Sequence, residues 1–185
     1  MAFQSRASNL VPGDTNGEAD IFVHDRLTGR TERVSVSSTG QQGDEFSCQP
    51  SISAEGRFVA FRSFASNLVP GDANGVQDIF VHDRLGGSTE RVSVSSTGRQ
   101  GRNTSLQPSI SADGRFVAFE SYDVGLAPSG FSAPLQVFVH DRAPWLGVAG
   151  GAPYMGAAPS TSPLTISRPA SLLARSLLPL LRPTL

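Results

Sequence analysis

Asp78-Ile79-Phe80-Val81-His82-Asp83-Arg84 holds a five-residue core, Phe80 to Arg84, that stands again at 22–26 and at 138–142, so the chain repeats with a period of 58 residues. A fixed period announces a repeat architecture and is read before any local pattern. Working outward, residues 7–29 match residues 65–87 at nineteen of twenty-three positions, and 31–40 match 89–98 throughout. The repeat ends at Arg142, and beyond it composition changes sharply.

Within one period the strand signals are short and evenly spaced, and the second unit reads as four strands over 50–53, 57–63, 78–83 and 90–96. Phe58-Val59-Ala60-Phe61 and Ile79-Phe80-Val81 are continuous apolar runs, which suits strands buried on both faces. Arg91-Val92-Ser93-Val94-Ser95 alternates, as an outer strand with one wet face does. Inner strands buried twice and an outer strand buried once is the profile of a propeller blade stacked between neighbours. The expected fold is therefore all-β, a partial β-propeller of four-stranded antiparallel blades. The organisation read from the repeat is 1–142 for the propeller units, divided 1–48, 49–106 and 107–142, followed by a Pro/Ala/Ser/Leu-rich tail over 143–185.

Pro50-Ser51-Ile52-Ser53-Ala54-Glu55-Gly56-Arg57-Phe58-Val59-Ala60-Phe61, repeated at 108–119, together with Asp78 to Asp83, resembles the WD-like β-propeller repeat of TolB-like proteins. The resemblance covers residues 1–142. It implies a binding or scaffolding role, often in periplasmic or extracellular proteins, and it implies no reaction, because one fold hosts many functions.

Charge and cysteine content narrow the classes. All 16 acidic residues and 12 of the 15 arginines precede residue 143, and lysine is absent, so the repeat body is net negative. Nucleic-acid binding normally needs a clustered basic face, and none is expected here. Cys48 is the single cysteine, which rules out an intramolecular disulfide and a cysteine-based metal cluster. No stretch is long and apolar enough to span a membrane, and no charged start followed by an apolar run marks a signal peptide.

Loop lengths place the candidate function. The links between the first and second strands and between the third and fourth are short; the other two are long and, by antiparallel alternation, emerge on one face. Extra length gathered on one face of a repeat protein marks the binding face. The candidate loops are 7–19, 40–47, 65–77 and 98–105, with a protein or surface glycan as the expected partner.

One of these loops offers metal chemistry. Asp14-Thr15-Asn16-Gly17-Glu18-Ala19-Asp20 is echoed as Asp72-Ala73-Asn74-Gly75-Val76-Gln77-Asp78. Calcium takes several oxygen ligands around a tight turn, so Asp14, Asn16 and Asp20, and Asp72, Asn74 and Asp78, are candidate calcium ligands. The same residues also build an Asx-type turn with no ion. In the third unit the equivalents, Gly130, Ser132 and Gln136, lack the carboxylates.

His24, His82 and His140, each followed by Asp and Arg, look like a catalytic pair only superficially. They sit on the third strand of separate blades, whereas catalytic groups must converge on one substrate. The expectation is a repeated structural position, and the chain is read as no enzyme; Arg26, Arg84 and Arg142 are expected as surface or inter-blade ion-pair partners. No nucleophile elbow, phosphate loop or paired-histidine motif is found.

The first unit enters at its second strand, since Ala2-Phe3 aligns with Ala60-Phe61, and no counterpart of residues 89–96 follows Arg142. Closed propellers typically have about four to eight blades, so open edges with a tendency to self-association are expected. The tail is expected to be disordered, and it reads as a fusion or an altered reading frame. Beside the binding module, two further readings stay open: an accessory propeller piece of a larger secreted enzyme, and a truncated product with no function of its own.

Overall fold

The computed structural model describes residues 1–127 and 135–142. The tail over 143–185, and Gly130 and Ser132 of the third unit, lie outside the described residues. The strands are β1 (Ala2–Ser5), β2 (Asp20–His24), β3 (Thr31–Arg33), β4 (Ser47–Ile52), β5 (Phe58–Ser63), β6 (Asp78–Asp83), β7 (Ser88–Arg91), β8 (Ser105–Ile110), β9 (Phe116–Ser121) and β10 (Gln136–Asp141). They form three antiparallel sheets, ordered β1-β2-β3, β4-β5-β6-β7 and β10-β9-β8. The middle sheet is a complete four-stranded blade, and its neighbours repeat parts of the same plan, so the architecture is that of a partial propeller.

Alternation along β5 and β6 explains the continuous apolar runs. Val59, Phe61 and Phe80 pack with Ile21, Val23 and Val34 of the first sheet. Ala60, Ile79 and Val81 turn the other way and pack with Val117, Phe119 and Phe138 of the third. Successive residues of a strand point to opposite faces, so a strand sandwiched between two sheets must be apolar at every position. In each sheet one cross-strand phenylalanine pair stacks: Phe3 with Phe22, Phe61 with Phe80, and Phe119 with Phe138, with ring centroids 5.8, 6.0 and 5.7 Å apart. Phe61 and Phe80 are fully buried, and truncating either to alanine costs about 3–5 kcal/mol.

Two boundaries differ from the sequence reading. The innermost strand begins at Ser47, not at 50, and its counterpart at Ser105, so the unit limits drawn at 48/49 and 106/107 fall inside β4 and β8. The cause is a register shift between Cys48 and Ser51, where Gln49 takes a φ of 54°. Pro50, with no N–H to donate, is tolerated at such an irregularity. The outer strand stops at Arg91, and the chain then turns back so that Val94 bridges Gln100. The long link that follows is therefore a folded hairpin.

In the middle sheet each letter of the Phe-Val-His-Asp-Arg signature has a structural job, shared in part by the other copies. Nδ1 of His24 meets Thr31 Oγ1 and Nδ1 of His82 meets Thr89 Oγ1, both at 2.9 Å across the two outer strands. Burial pushes the His82 imidazole below its ordinary pKa. Asp83 accepts two hydrogen bonds from the Arg57 guanidinium, 2.9 and 2.7 Å long. That fork, first among its causes, pulls the Asp83 carboxyl down to about 2. Arg84 reaches the Glu32 carboxylate of the preceding sheet, and Arg142 reaches Glu90 in the same way at 2.6 Å. Arg26 is exposed.

Candidate functional site

The candidate loops meet on one face, as their alternation requires. In the first copy Asn16 Oδ1 accepts from Glu18 N at 3.0 Å, closing an Asx turn in which Gly17 supplies a φ of 73°. The Asn16 amide donates to Gly43 O at 3.0 Å and to Asp20 Oδ2 at 3.4 Å. Asp20, fully buried, also accepts from Ser35 Oγ at 2.5 Å. Gln42 joins both carboxylates: its Nε2 donates to Asp14 at 3.0 Å and to Asp20 at 2.8 Å.

Arg33 completes the cluster. Its Nη1 lies 3.5 Å from Asp14 and 3.6 Å from Asp20, and its Nη2 donates to Gly13 O at 3.0 Å. The second copy repeats the arrangement. Arg91 lies 3.3 Å from Asp72 and 3.7 Å from Asp78, and Gln100 donates to the same carboxylates at 2.7 and 3.1 Å. Asn74 donates to Asp78 and to Gly101 O at 2.9 and 3.0 Å. Burial, and then the neighbouring Asp78 charge, raises the Asp72 pKa.

The structure thus brings together Asp14, Asn16 and Asp20, and likewise Asp72, Asn74 and Asp78, but it turns N–H donors onto their carboxylates. A cation entering either cluster would have to displace an arginine and turn over two amides. Among the described residues no group of three or more His, Cys, Asp or Glu side chains is placed to hold a metal ion. Sequence reasoning missed Arg33, Arg91, Gln42 and Gln100. The signal was available in the complete identity of 31–40 and 89–98, which includes both arginines.

Next to the first cluster the loops leave a groove of about 380 Å³ between the first and second sheets. One wall is the turn of Ser37, Ser38, Thr39 and Gln41; the other is Ser66, Asn67, Leu68, Val69 and Pro70. The segments that carry the two walls are cross-linked. Asp44 accepts from Ser66 N at 2.8 Å and from Ser66 Oγ at 2.7 Å, while Asn67 Nδ2 donates to Gln42 O at 2.8 Å. Leu68 is buried beneath, whereas Ser38, Thr39, Gln41, Ser66 and Pro70 are exposed. The result is a polar rim over an apolar floor. Residues 37–39 lie outside the loops singled out from sequence, because the hairpin after β3 carries them up to the face.

Neither a protein-family model nor a curated protein sequence matches the chain. Among solved structures it is similar to a chain assigned as TolB from Agrobacterium tumefaciens, with 23% identity and a TM-score of 0.43, covering 69% of this chain and 39% of that one. It is also similar to TolB from Acinetobacter baumannii, at 19% identity and a TM-score of 0.29, covering 71% and 37%. A third similar structure is the tricorn protease, at 17% identity and a TM-score of 0.35, covering 68% and 16%. The chain spans well under half the length of each. Among the described residues no helix is long and apolar enough to cross a membrane.

Proposed function

We propose that this chain is a non-catalytic propeller-type binding module, and that it takes a protein segment or a surface glycan in the groove of its long-loop face. The observation that carries the reading is the groove itself: about 380 Å³, with exposed hydroxyl and amide groups above a leucine floor. Binding sites commonly pair apolar lining with a few placed polar groups. The walls are pre-shaped, because Asp44 and Asn67 tie them together before any ligand arrives, and pre-organisation lowers the entropic cost of binding.

The second inter-sheet gap supports the assignment by contrast. There Arg99, the counterpart of Gln41, donates through Nη2 to Gly125 O at 3.0 Å and bridges the two walls. The test screens the full chain against peptide and glycan panels and then repeats each hit with Gln41→Arg. A hit lost in the variant, with unchanged thermal unfolding, places the ligand in the groove. Hits that bind the variant equally well overturn the reading.

A further inference from the structure

The middle sheet shows how the outermost strand is held, and the third sheet offers the same seat with nothing on it among the described residues. In the middle sheet Val92 N donates to Ile79 O at 2.8 Å, and His82 pairs with Thr89. The register sets Thr89 opposite His82, Glu90 opposite Val81 and Arg91 opposite Phe80. Peptide groups of alternate residues point to opposite neighbours in a sheet. Ile79 therefore faces β7, while Arg84 N donates the other way, to Arg57 O.

Strand β10 is in the same phase. Arg142 N donates to Arg115 O at 2.9 Å, as Arg84 does to Arg57, so the peptide groups of Val137 and Val139 face the outer edge. No described strand pairs with that edge, because β9 is the one partner of β10 in its sheet. One side chain marks the missing neighbour. His140 Nδ1 is buried without a hydrogen-bond partner, where the equivalent atom of His82 has its threonine.

We infer that the outer edge of β10 is a strand-addition site for an extended segment of Thr-Glu-Arg-Val type supplied by a partner, bound antiparallel with its threonine hydroxyl on His140 Nδ1 and its valine beside Val137. The chemistry of the occupant is read from the chain, since both outer strands carry this tetrapeptide, at 31–34 and 89–92. Main-chain hydrogen bonds supply affinity at such an edge, and side chains at alternate positions supply selectivity. A buried imidazole nitrogen without a partner is costly, so a hydroxyl opposite His140 discriminates among extended segments.

The experiment adds a synthetic peptide of residues 87–96 to the full chain and follows binding by calorimetry and by the His140 imidazole resonances. The expected result is saturable one-to-one binding that shifts the His140 signals. Replacing the peptide threonine by valine should weaken it about tenfold or more. Methylating the amide nitrogen of the peptide glutamate, which faces β10 in this register, should abolish it. These variants leave the protein untouched, so misfolding cannot imitate the effect. Failure to bind the full chain, or equal binding of the methylated peptide, overturns the inference. Gln41→Arg should leave this binding unchanged, which separates it from the groove.

Discussion

The two inter-sheet gaps are built from copies of one sequence, yet one is an open groove and the other is bridged. In the first, Asp44 on the earlier loop clamps Ser66 on the later one. In the second, the counterpart of Asp44 is Arg102, and the carboxylate stands on the opposite wall as Asp123, where it accepts from Arg102 N and, at 2.7 Å, from Gly125 N. The clamp has changed sides without being lost. Among the further changes, Gln41 becomes Arg99 and Asn67 becomes Gly125, and the arginine spans the gap to the Gly125 carbonyl. The repeat thus protects the cross-linking of its loops and varies what those loops display, which is where recognition resides in repeat folds.

The largest effect should come from what the two copies share. Asp78→Ala removes a fully buried carboxylate from Ser93, Gln100, Asn74 and Arg91. Leaving those donors without their buried carboxylate should cost about 3–5 kcal/mol in urea unfolding, and Asp20→Ala should cost a similar amount. Costs that differ more than about twofold between the copies would break the equivalence of the clusters.

The clamps come next. Asp123 is buried and Asp44 exposed, so Asp123→Ala should lose about 1–3 kcal/mol and Asp44→Ala about 1 kcal/mol or less. The reverse ranking would show that the first clamp, and not the second, contributes more to stability.

Much of this was legible in the sequence and some was not, for physical reasons. Alternation and period revealed the doubly buried strands because burial on two faces leaves no polar position in Phe58 to Phe61. The start of the innermost strand escaped because Ser47 pairs with Ser63 through hydroxyls, 2.9 Å apart, and a polar strand end looks like a loop. The Asp-x-Asn-Gly loops displayed their oxygens but not their partners. Arg33 and Arg91 arrive from a different strand, and only the fold shows that they, with the glutamines, face the carboxylates.

Smaller effects sharpen the contrast at the surface. Arg99→Gln should open the second gap with a stability change within about 0.5 kcal/mol, and a hit from the groove screen should then bind with two-site stoichiometry. One-site binding would tie recognition to residues other than Gln41. Smallest of all should be the response to calcium. Titration of the full chain should give no saturable heat and no shift in melting temperature, because the carboxylates are already engaged by arginine and amide donors. A calcium-dependent rise in melting temperature that disappears in Asp14→Ala plus Asp72→Ala would reverse that assignment.

The middle sheet gives alternate residues of β5 and β6 to one neighbour and the intervening residues to the other. Mechanically it is a party wall, shared by the rooms on either side. Stability in such an array is close to a sum of unit and nearest-neighbour contributions, as in a one-dimensional lattice. A defect in the party wall severs two couplings at once, whereas a defect in an outer sheet severs one. Equal volume losses at Phe61 and at Phe3 should therefore differ in cooperativity as well as in magnitude: the first splits the melt into separate events, and the second only frays one end.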